Sequence, residues 1–192
     1  GSVTNSNAAR GLPVVQAYIC ILDPVTGTLK SLIDGESVTR IRTTAASMVA
    51  AQALAVQSKT IAVIGAGLQG IAHARAAIEV FSPESLILIG RSISAEAQEL
   101  ESEFLRVRIS QNLDEAIESA DIIFVCTNTI NPVITKPLKQ GTTLISIGSF
   151  SPNREEIAGS VVAQADLLFG DDSQTIQSQS GSIISAIKVN PS

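Results

Sequence analysis

The stretch "KTIAVIGAGLQGIAHARAAI" spans residues 59–78 and changes its hydrophobic pattern part-way along. Residues 60–64 form a short, mostly β-branched apolar run, which is typical of a buried strand. Residues 68–80 are rich in alanine, with apolar side chains three and four positions apart, which predicts a helix. The join between these segments carries a G-x-G-x-x-G sequence formed by Gly65, Gly67 and Gly70. The stretch therefore predicts a strand, a tight glycine turn and a helix.

The same succession of apolar run and helical segment continues towards the C-terminus. Further strands are predicted at residues 85–90, 107–110, 121–127, 142–148 and 165–170. With the strand at residues 60–64 this makes six predicted strands, and helical segments are predicted between the first four of them. Strands that alternate with helices in this way indicate an α/β fold with a doubly wound parallel sheet of the Rossmann type.

The region before the sheet has a different pattern. Residues 14–35 are predicted to form a β-hairpin outside the parallel sheet, because the turn sequence "DPVTG" separates two apolar runs. An alanine-rich helix is predicted to begin at about Thr39. Residues 171–182 are rich in Ser and Gln, and we expect them to start a helix or to form a loose connection.

The composition excludes several classes of partner. The formal net charge is -5 and only 16% of the residues are charged, so we expect no nucleic-acid partner. No apolar run reaches the roughly 18 residues of a membrane span, so no membrane partner is expected. Cys20 and Cys126 lie in apolar runs and belong to no C-x-x-C pair. This pattern predicts two buried reduced thiols, no metal site and a cytoplasmic location.

The glycine turn has the context of a dinucleotide-binding loop. The first glycine would form the tight turn, the second would admit a pyrophosphate, and the third would let strand and helix pack closely. The helix N-terminus would add free N–H groups and a partial positive charge. The alternative is a strand-to-helix turn that binds no ligand.

The end of the second strand indicates which dinucleotide would bind. An acidic residue there would repel a 2'-phosphate, but the sequence is Gly90-Arg91-Ser92. Arg91 can pair with a 2'-phosphate and Ser92 can donate a hydrogen bond to it, which favours NADP(H) over NAD(H). The alternative is that Arg91 is a solvated surface residue.

Other polar residues are weaker candidates for the site. Thr127 and Gly148 end predicted strands and Asn128 follows one, at the edge where open α/β sheets bind ligands, although these residues could equally cap loops. His73 is either a base or, as we favour, a partly buried helix residue. Arg42 lies near the predicted start of the alanine-rich helix, where the dipole disfavours a cation, and therefore suggests an anionic ligand.

Five segments in this order resemble the ornithine cyclodeaminase/mu-crystallin family. They are "RTTAA" (42–46), "GAGLQG" (65–70), "CTNTINPVI" (126–134), "ISIGSFSPNREEI" (145–157) and "ADLLFGDD" (165–172). The resemblance implies a nicotinamide cofactor on the doubly wound domain and a cyclic imino acid or amino acid on a smaller domain.

The resemblance also implies a role for individual residues. Arg42 would lie beside the substrate carboxylate and Thr43 near the cofactor phosphates. The pyrophosphate would lie along Gly65, Gly67, Leu68 and Gln69, with Gly70 in the same loop. The 2'-phosphate would meet Arg91 and Ser92, the nicotinamide-side ribose would meet Thr127 and Asn128, and the nicotinamide edge would meet Ile147 and Gly148.

Phe150 distinguishes between branches of the family. Cyclodeaminases carry an Asp at this position, and phenylalanine cannot act as a general base. The sequence "GSFSP" resembles the imine-reductase branch, oxidoreductases of amino-acid metabolism that use NADPH to reduce 1-pyrroline-2-carboxylate or 1-piperideine-2-carboxylate to proline or pipecolate. The alternatives are a cofactor-binding domain without catalysis and, disfavoured by Phe150, an ornithine cyclodeaminase.

The resemblance finally predicts how the chain is organised. Family chains usually have an upstream segment with a substrate-binding Lys and Arg, and a downstream helical tail, so we expect this chain to be shortened at both ends. The expected divisions are a partial substrate and dimerisation domain (1–42), a connecting helix (43–58), the Rossmann domain (59–175) and the start of a return segment (176–192). A homodimer is expected.

Overall fold

The computed structural model of the chain describes residues 1–12 and 15–189. The chain divides into two units, Gly1–Ala45 and Ala46–Ser192. The boundary between the units falls within helix α1 (Gly35–Leu54). The four-way division expected from the sequence stays a prediction.

The first unit contains the expected β-hairpin. Strand β1 (Ser2–Val3) pairs with β2 (Val15–Gln16), and a 3₁₀ helix (Asn5–Arg10) lies between them in the sequence. The hairpin itself pairs β3 (Tyr18–Leu22) with β4 (Leu29–Asp34) in antiparallel orientation, which confirms the predicted hairpin over these residues. Its predicted first residue, Val14, lies outside the described residues, and Val15 and Gln16 pair with β1 instead. Cys20 is exposed on β3, so its predicted burial is wrong, because the hairpin leaves both of its faces largely open.

Helix α1 begins four residues earlier than the predicted start at Thr39. Asp34 explains the difference, because its carboxylate accepts hydrogen bonds from the N–H groups of Glu36 and Ser37 at 3.2 and 3.1 Å. Arg42 therefore lies inside the helix, about two turns from its first residue. The helix dipole therefore gives no reason to expect an anion beside Arg42, and the anion stays a prediction of the family resemblance.

The second unit is built around a sheet of five parallel strands in the order β7-β6-β5-β8-β9. The strands are β5 (Thr60–Ile64), β6 (Ser85–Ile89), β7 (Val107–Ser110), β8 (Ile122–Val125) and β9 (Thr143–Ser146). The helices between the first four are α2 (Leu68–Phe81), α3 (Ala95–Glu103) and α4 (Leu113–Ser119). The doubly wound sheet predicted from the sequence is confirmed.

Two hydrophobic clusters cover the faces of this sheet. Alternate side chains of β5 separate between them, with Ile61 and Val63 in one cluster and Ala62 and Ile64 in the other. Residues of α2 and α3 belong to the first cluster, and residues of α4 belong to the second. The three inner strands β5, β6 and β8 are buried on both faces, which is why they appear as continuous apolar runs.

The predicted sixth strand at residues 165–170 is wrong. No strand forms there, and Leu167, Leu168 and Phe169 are 75%, 56% and 61% exposed. An apolar run becomes a strand only where a neighbour completes its hydrogen-bond ladder, and the described sheet supplies none to this segment. The remaining helices are α5 (Gly159–Val162), α6 (Ser173–Gln179) and α7 (Gly181–Val189); residues 190–192 of the predicted return segment lie outside the described residues.

Within the described ranges, none of the helices combines the length and hydrophobicity that crossing a bilayer requires.

Candidate functional site

The glycine loop connects β5 to α2 and has little room for side chains. Gly65 has φ +110°, and a Cβ there would lie 2.8 Å from the carbonyl carbon of Cys126. A Cβ on Gly70 would collide with the carbonyl oxygen of Gly65. Both glycines are therefore required by close approach of backbone to backbone.

Gly67 differs from the other two glycines of the loop. A Cβ at Gly67 would meet no heavy atom within 4 Å, so packing inside the chain does not require a glycine there. Gly67 is exposed and forms the N-cap of α2 without a side-chain hydrogen bond. The open space beside Gly67 and the N–H groups in the first turn of α2 are suited to an anionic ligand.

Two buried side-chain oxygens lack hydrogen-bond partners among the described residues. They are Gln69 Oε1, in the first turn of α2, and Thr43 Oγ1, in the first unit. Both residues were assigned to the cofactor by family resemblance. Because buried polar atoms in proteins are nearly always paired, each oxygen is a candidate for a ligand contact in its own unit.

Arg91 and Ser92 lie beside the glycine loop at the end of β6. The intervening Gly90 brings the strand end close, because a Cβ on Gly90 would lie 2.5 Å from the Cβ of Ala66. Both Arg91 and Ser92 are exposed. The guanidinium and hydroxyl are therefore open to solvent at the edge of the sheet where the loop begins.

A buried carboxylate that sequence reasoning missed joins the ends of β8 and β9. Glu156 is 0% exposed, and its Oε1 accepts hydrogen bonds from the N–H and the hydroxyl of Thr127, each at 2.6 Å. Its Oε2 accepts from the N–H of Gly148 at 2.6 Å and from the hydroxyl of Ser146 at 2.7 Å. The sequence "REEI" indicates acidic residues but does not show that Glu156, rather than Glu155, is buried.

Three polar and aromatic side chains form a small cluster nearby. The guanidinium of Arg154 lies over the ring of Phe150, 5.1 Å from its centroid, and donates a hydrogen bond to the side-chain oxygen of Asn128. Phe150 and Asn128 are exposed. The cluster contains a cation and an amide but no carboxylate that could act as a base.

His73 is a buried structural residue rather than an exposed base. Its ring nitrogens lie 2.7 Å from the carbonyl oxygen of Gln69 and 3.0 Å from the hydroxyl of Ser47, and its ring packs on Phe124. Burial lowers the pKa of His73, and the hydrogen bond to Gln69 only partly opposes that effect. The buried-helix interpretation of His73 is confirmed.

Cys126 is partly buried, and its thiol is kept protonated. Burial raises its pKa well above the usual value, and the negative charge of Glu156 acts in the same direction. Over residues 1–12 and 15–189, no group of three His, Cys, Asp or Glu residues is arranged to hold a metal ion.

Comparison with known proteins identifies the family. The profile of the ornithine cyclodeaminase/mu-crystallin family matches residues 2–189. The chain belongs to this family. Curated members that it resembles include a Δ1-pyrroline-2-carboxylate reductase of Bacillus cereus, 30% identical over 187 residues, which cover 95% of this chain and 58% of the relative.

Two further members extend the comparison. Ketimine reductase mu-crystallin of Rattus norvegicus is 27% identical over 177 residues, which cover 91% of this chain and 56% of the relative. The structure of Δ1-pyrroline-2-carboxylate reductase of Thermococcus litoralis, in complex with NADH and L-proline, is 30% identical, with a TM-score of 0.87. That alignment covers 97% of this chain and 59% of the other. This chain therefore spans less than two thirds of these family members.

Proposed function

We propose that this chain provides the cofactor site of an NADPH-dependent reductase that converts a cyclic imino acid to an amino acid. The substrate would be 1-pyrroline-2-carboxylate or 1-piperideine-2-carboxylate, and the product proline or pipecolate. The observation that carries the proposal is the glycine loop, in which Gly65 and Gly70 are required by packing while Gly67 is open to a ligand. The reductases among the relatives support the choice of reaction.

The residues at the carboxyl edge of the sheet fit a dinucleotide. The N-terminus of α2, with Gly65, Gly67, Leu68 and Gly70, would bind the pyrophosphate through backbone N–H groups. The unpaired Gln69 Oε1 would accept a hydrogen bond from the ligand. The nicotinamide half would lie against the segments after β8 and β9, which contain Thr127, Asn128, Ile147 and Gly148.

The chemistry requires binding and orientation rather than a strong base. The bound cofactor would supply a hydride for the C=N carbon. The chain would hold the hydride donor of the cofactor close to the C=N carbon and keep water away from the nicotinamide ring. Phe150 offers no group that could activate water for deamination. The contacts of Arg42 with the substrate carboxylate and of Thr43 with the phosphates stay predictions.

An activity assay tests the reaction directly. The chain is mixed with NADPH and either imino acid, the loss of absorbance at 340 nm is followed, and the amino acid formed is identified. Oxidation of NADPH with formation of proline or pipecolate is expected. Binding of NADPH without turnover would instead support the non-catalytic alternative, and release of proline from ornithine would support a cyclodeaminase.

The preference for NADP(H) over NAD(H) is part of the proposal and needs its own test. Arg91 and Ser92 favour it, whereas the structure of the Thermococcus litoralis relative is of a complex with NADH. We expect NADPH to bind more tightly than NADH, and Arg91→Ala to weaken NADPH binding about tenfold while changing NADH binding little. Arg75→Ala is the matched control, because Arg75 of α2 pairs with Glu103 at the end of α3. Tighter binding of NADH by the unaltered chain would contradict the assignment.

A homodimer and a cytoplasmic location complete the proposal as predictions. Light scattering on the purified chain would test the first, and fractionation of cells that express it would test the second.

A further inference from the structure

Glu156 is a buried charge that the proposed reaction does not use. None of the ion pairs among the described residues includes it, and its four neighbours are all uncharged donors. Two N–H groups and two hydroxyls direct their protons at two oxygens, so the site suits a carboxylate that only accepts. Burying a charge in this way is costly unless each hydrogen bond is made.

The donors of Glu156 lie at one place in the fold. The last paired residues of β8 and β9 are Val125 and Ser146. The last backbone hydrogen bond between the two strands is donated by the N–H of Ile147 to the carbonyl of Val125. The next N–H groups belong to Thr127 and Gly148, and both donate to Glu156. The carboxylate thus accepts the N–H groups that follow the last backbone hydrogen bond between the two strands.

The glycine at position 148 is required by close contacts on two sides. A Cβ there would collide with the carbonyl oxygen of Thr127, and it would lie 2.5 Å from Glu156 Oε1 and 2.6 Å from its carboxyl carbon. Any larger residue would therefore displace the backbone at Thr127, the carboxylate or both. The same edge reaches the glycine loop, because a Cβ on Gly65 would lie 3.4 Å from the nitrogen of Thr127.

Glu156 is itself held firmly in place. Its N–H donates to the hydroxyl of Ser149, which lies 3.0 Å from the hydroxyl of Ser182, and its carbonyl accepts from Val133 and Ile134. The hydroxyl of Ser182 also accepts from the N–H of Ile157. Helix α7, which carries Ser182, therefore helps to set the position of the carboxylate.

We propose that Glu156 is a positioning residue that holds Thr127 and Gly148 as the wall on which the nicotinamide half of the cofactor is oriented. This inference rests on the proposed function, because it assumes that a nicotinamide dinucleotide binds. It assigns Glu156 no contact with the cofactor. Its effect passes through the backbone of the two segments that follow β8 and β9.

The test compares binding of a whole cofactor with binding of its adenine half. Glu156→Gln keeps the shape but replaces one acceptor oxygen by a donor NH₂, so one pair of donors loses its partner. We expect NADPH to bind about tenfold more weakly to this variant, while 2',5'-ADP binds within about twofold of the unaltered chain. Both are measured by calorimetric titration, which needs no turnover.

Glu155→Gln is the matched control, since it makes the same substitution at the neighbouring, partly exposed position, and it should bind both ligands normally. Unchanged NADPH binding by Glu156→Gln would overturn the proposal, and so would equal weakening of both ligands, which would mean a general structural role. If Glu156→Gln fails to fold, Ser146→Ala decides the matter by removing one donor to Oε2. Selective weakening of NADPH in that variant supports the proposal, and normal binding overturns it.

Failure of the proposed function gives a different result from failure of this inference. An unaltered chain that binds neither NADPH nor NADH contradicts the proposed function. An unaltered chain that binds NADPH, together with a Glu156→Gln variant that binds it equally well, contradicts only the role of Glu156.

Discussion

The two edges of the parallel sheet each contain a buried carboxylate, but the two carboxylates are satisfied differently. At the amino edge, Asp121 is 7% exposed and lies 2.7 Å from the ammonium group of Lys139, and it accepts the N–H groups of Lys59 and Thr60 at 3.0 Å. At the carboxyl edge, Glu156 is fully buried and has four uncharged donors.

Asp121 makes a contact that stabilises the fold, whereas Glu156 makes its contacts at the candidate site. Burial opposes ionisation of Asp121, but Lys139 and the N–H groups of Thr60 and Lys59 together hold its pKa below the ordinary value. This contact fastens the starts of β5 and β8, away from the glycine loop. Glu156 instead fastens the ends of β8 and β9, where a ligand of the sheet would lie.

The largest expected difference between the edges is in stability. Glu156→Ala would leave two N–H groups and two hydroxyls without their acceptor in a buried or partly buried site, and should lower the free energy of unfolding by about 3–5 kcal/mol. Asp121→Ala should cost only about 1–3 kcal/mol, because the half-exposed Lys139 can turn to solvent. Urea unfolding monitored by circular dichroism measures both. Glu155→Ala serves as the control and should change stability by less than about 0.5 kcal/mol; a larger loss for Asp121→Ala than for Glu156→Ala would reverse the comparison.

The sequence was sufficient for features that depend on local pattern. The buried strands and the helices between them follow from hydrophobic spacing, and Gly65 and Gly70 follow from a motif whose geometry is set by backbone contacts. The late helix start was an error of the same local kind, because Asp34 could have been recognised as an N-cap.

Features that depend on distant residues could not be found in this way. Glu156 meets Thr127 across 29 positions of sequence, and nothing in "REEI" distinguishes it from Glu155. The exposed run at 165–170 was predicted as a strand because its composition matches one, although pairing depends on a neighbouring strand. Burial of Cys20 was predicted from apolar neighbours on a hairpin whose faces are open.

The pH dependence of unfolding should separate the buried histidine from Asp121. In α2, His73 bonds the carbonyl of Gln69, and burial lowers its pKa from the ordinary 6.5. The unfolded chain therefore binds a proton first, so stability is fully present above about pH 6.5 and falls as the pH drops from there towards the lowered value. The slope should approach, and not exceed, about 1.4 kcal/mol per pH unit.

His73→Gln provides the check on this assignment. His73 is the one histidine of the chain, so the variant should lose the dependence of stability between pH 7 and 5.5. The contribution of Asp121, whose pKa is also lowered, is present above its ordinary value of 3.8 and is lost only as the pH falls below it. A variant that keeps the full slope between pH 7 and 5.5 would show that another group is responsible.

The smallest effect is expected for the ion pair at the amino edge. Lys139→Met removes the cation from Asp121 but leaves the two backbone donors, and 41% of the lysine side chain is already exposed, so the loss should be about 1 kcal/mol or less. Lys136→Met is the matched control, because Lys136 pairs with Asp114 at the same 2.7 Å with both side chains mostly exposed, and it should cost almost nothing. Urea unfolding at low and high salt measures the difference, which should shrink with salt as screening weakens the pair. An equal loss of unfolding free energy in Lys139→Met and Glu156→Ala would contradict this expectation. The amino edge would then depend on its ion pair as strongly as the carboxyl edge depends on its uncharged donors, and the two carboxylates would not differ.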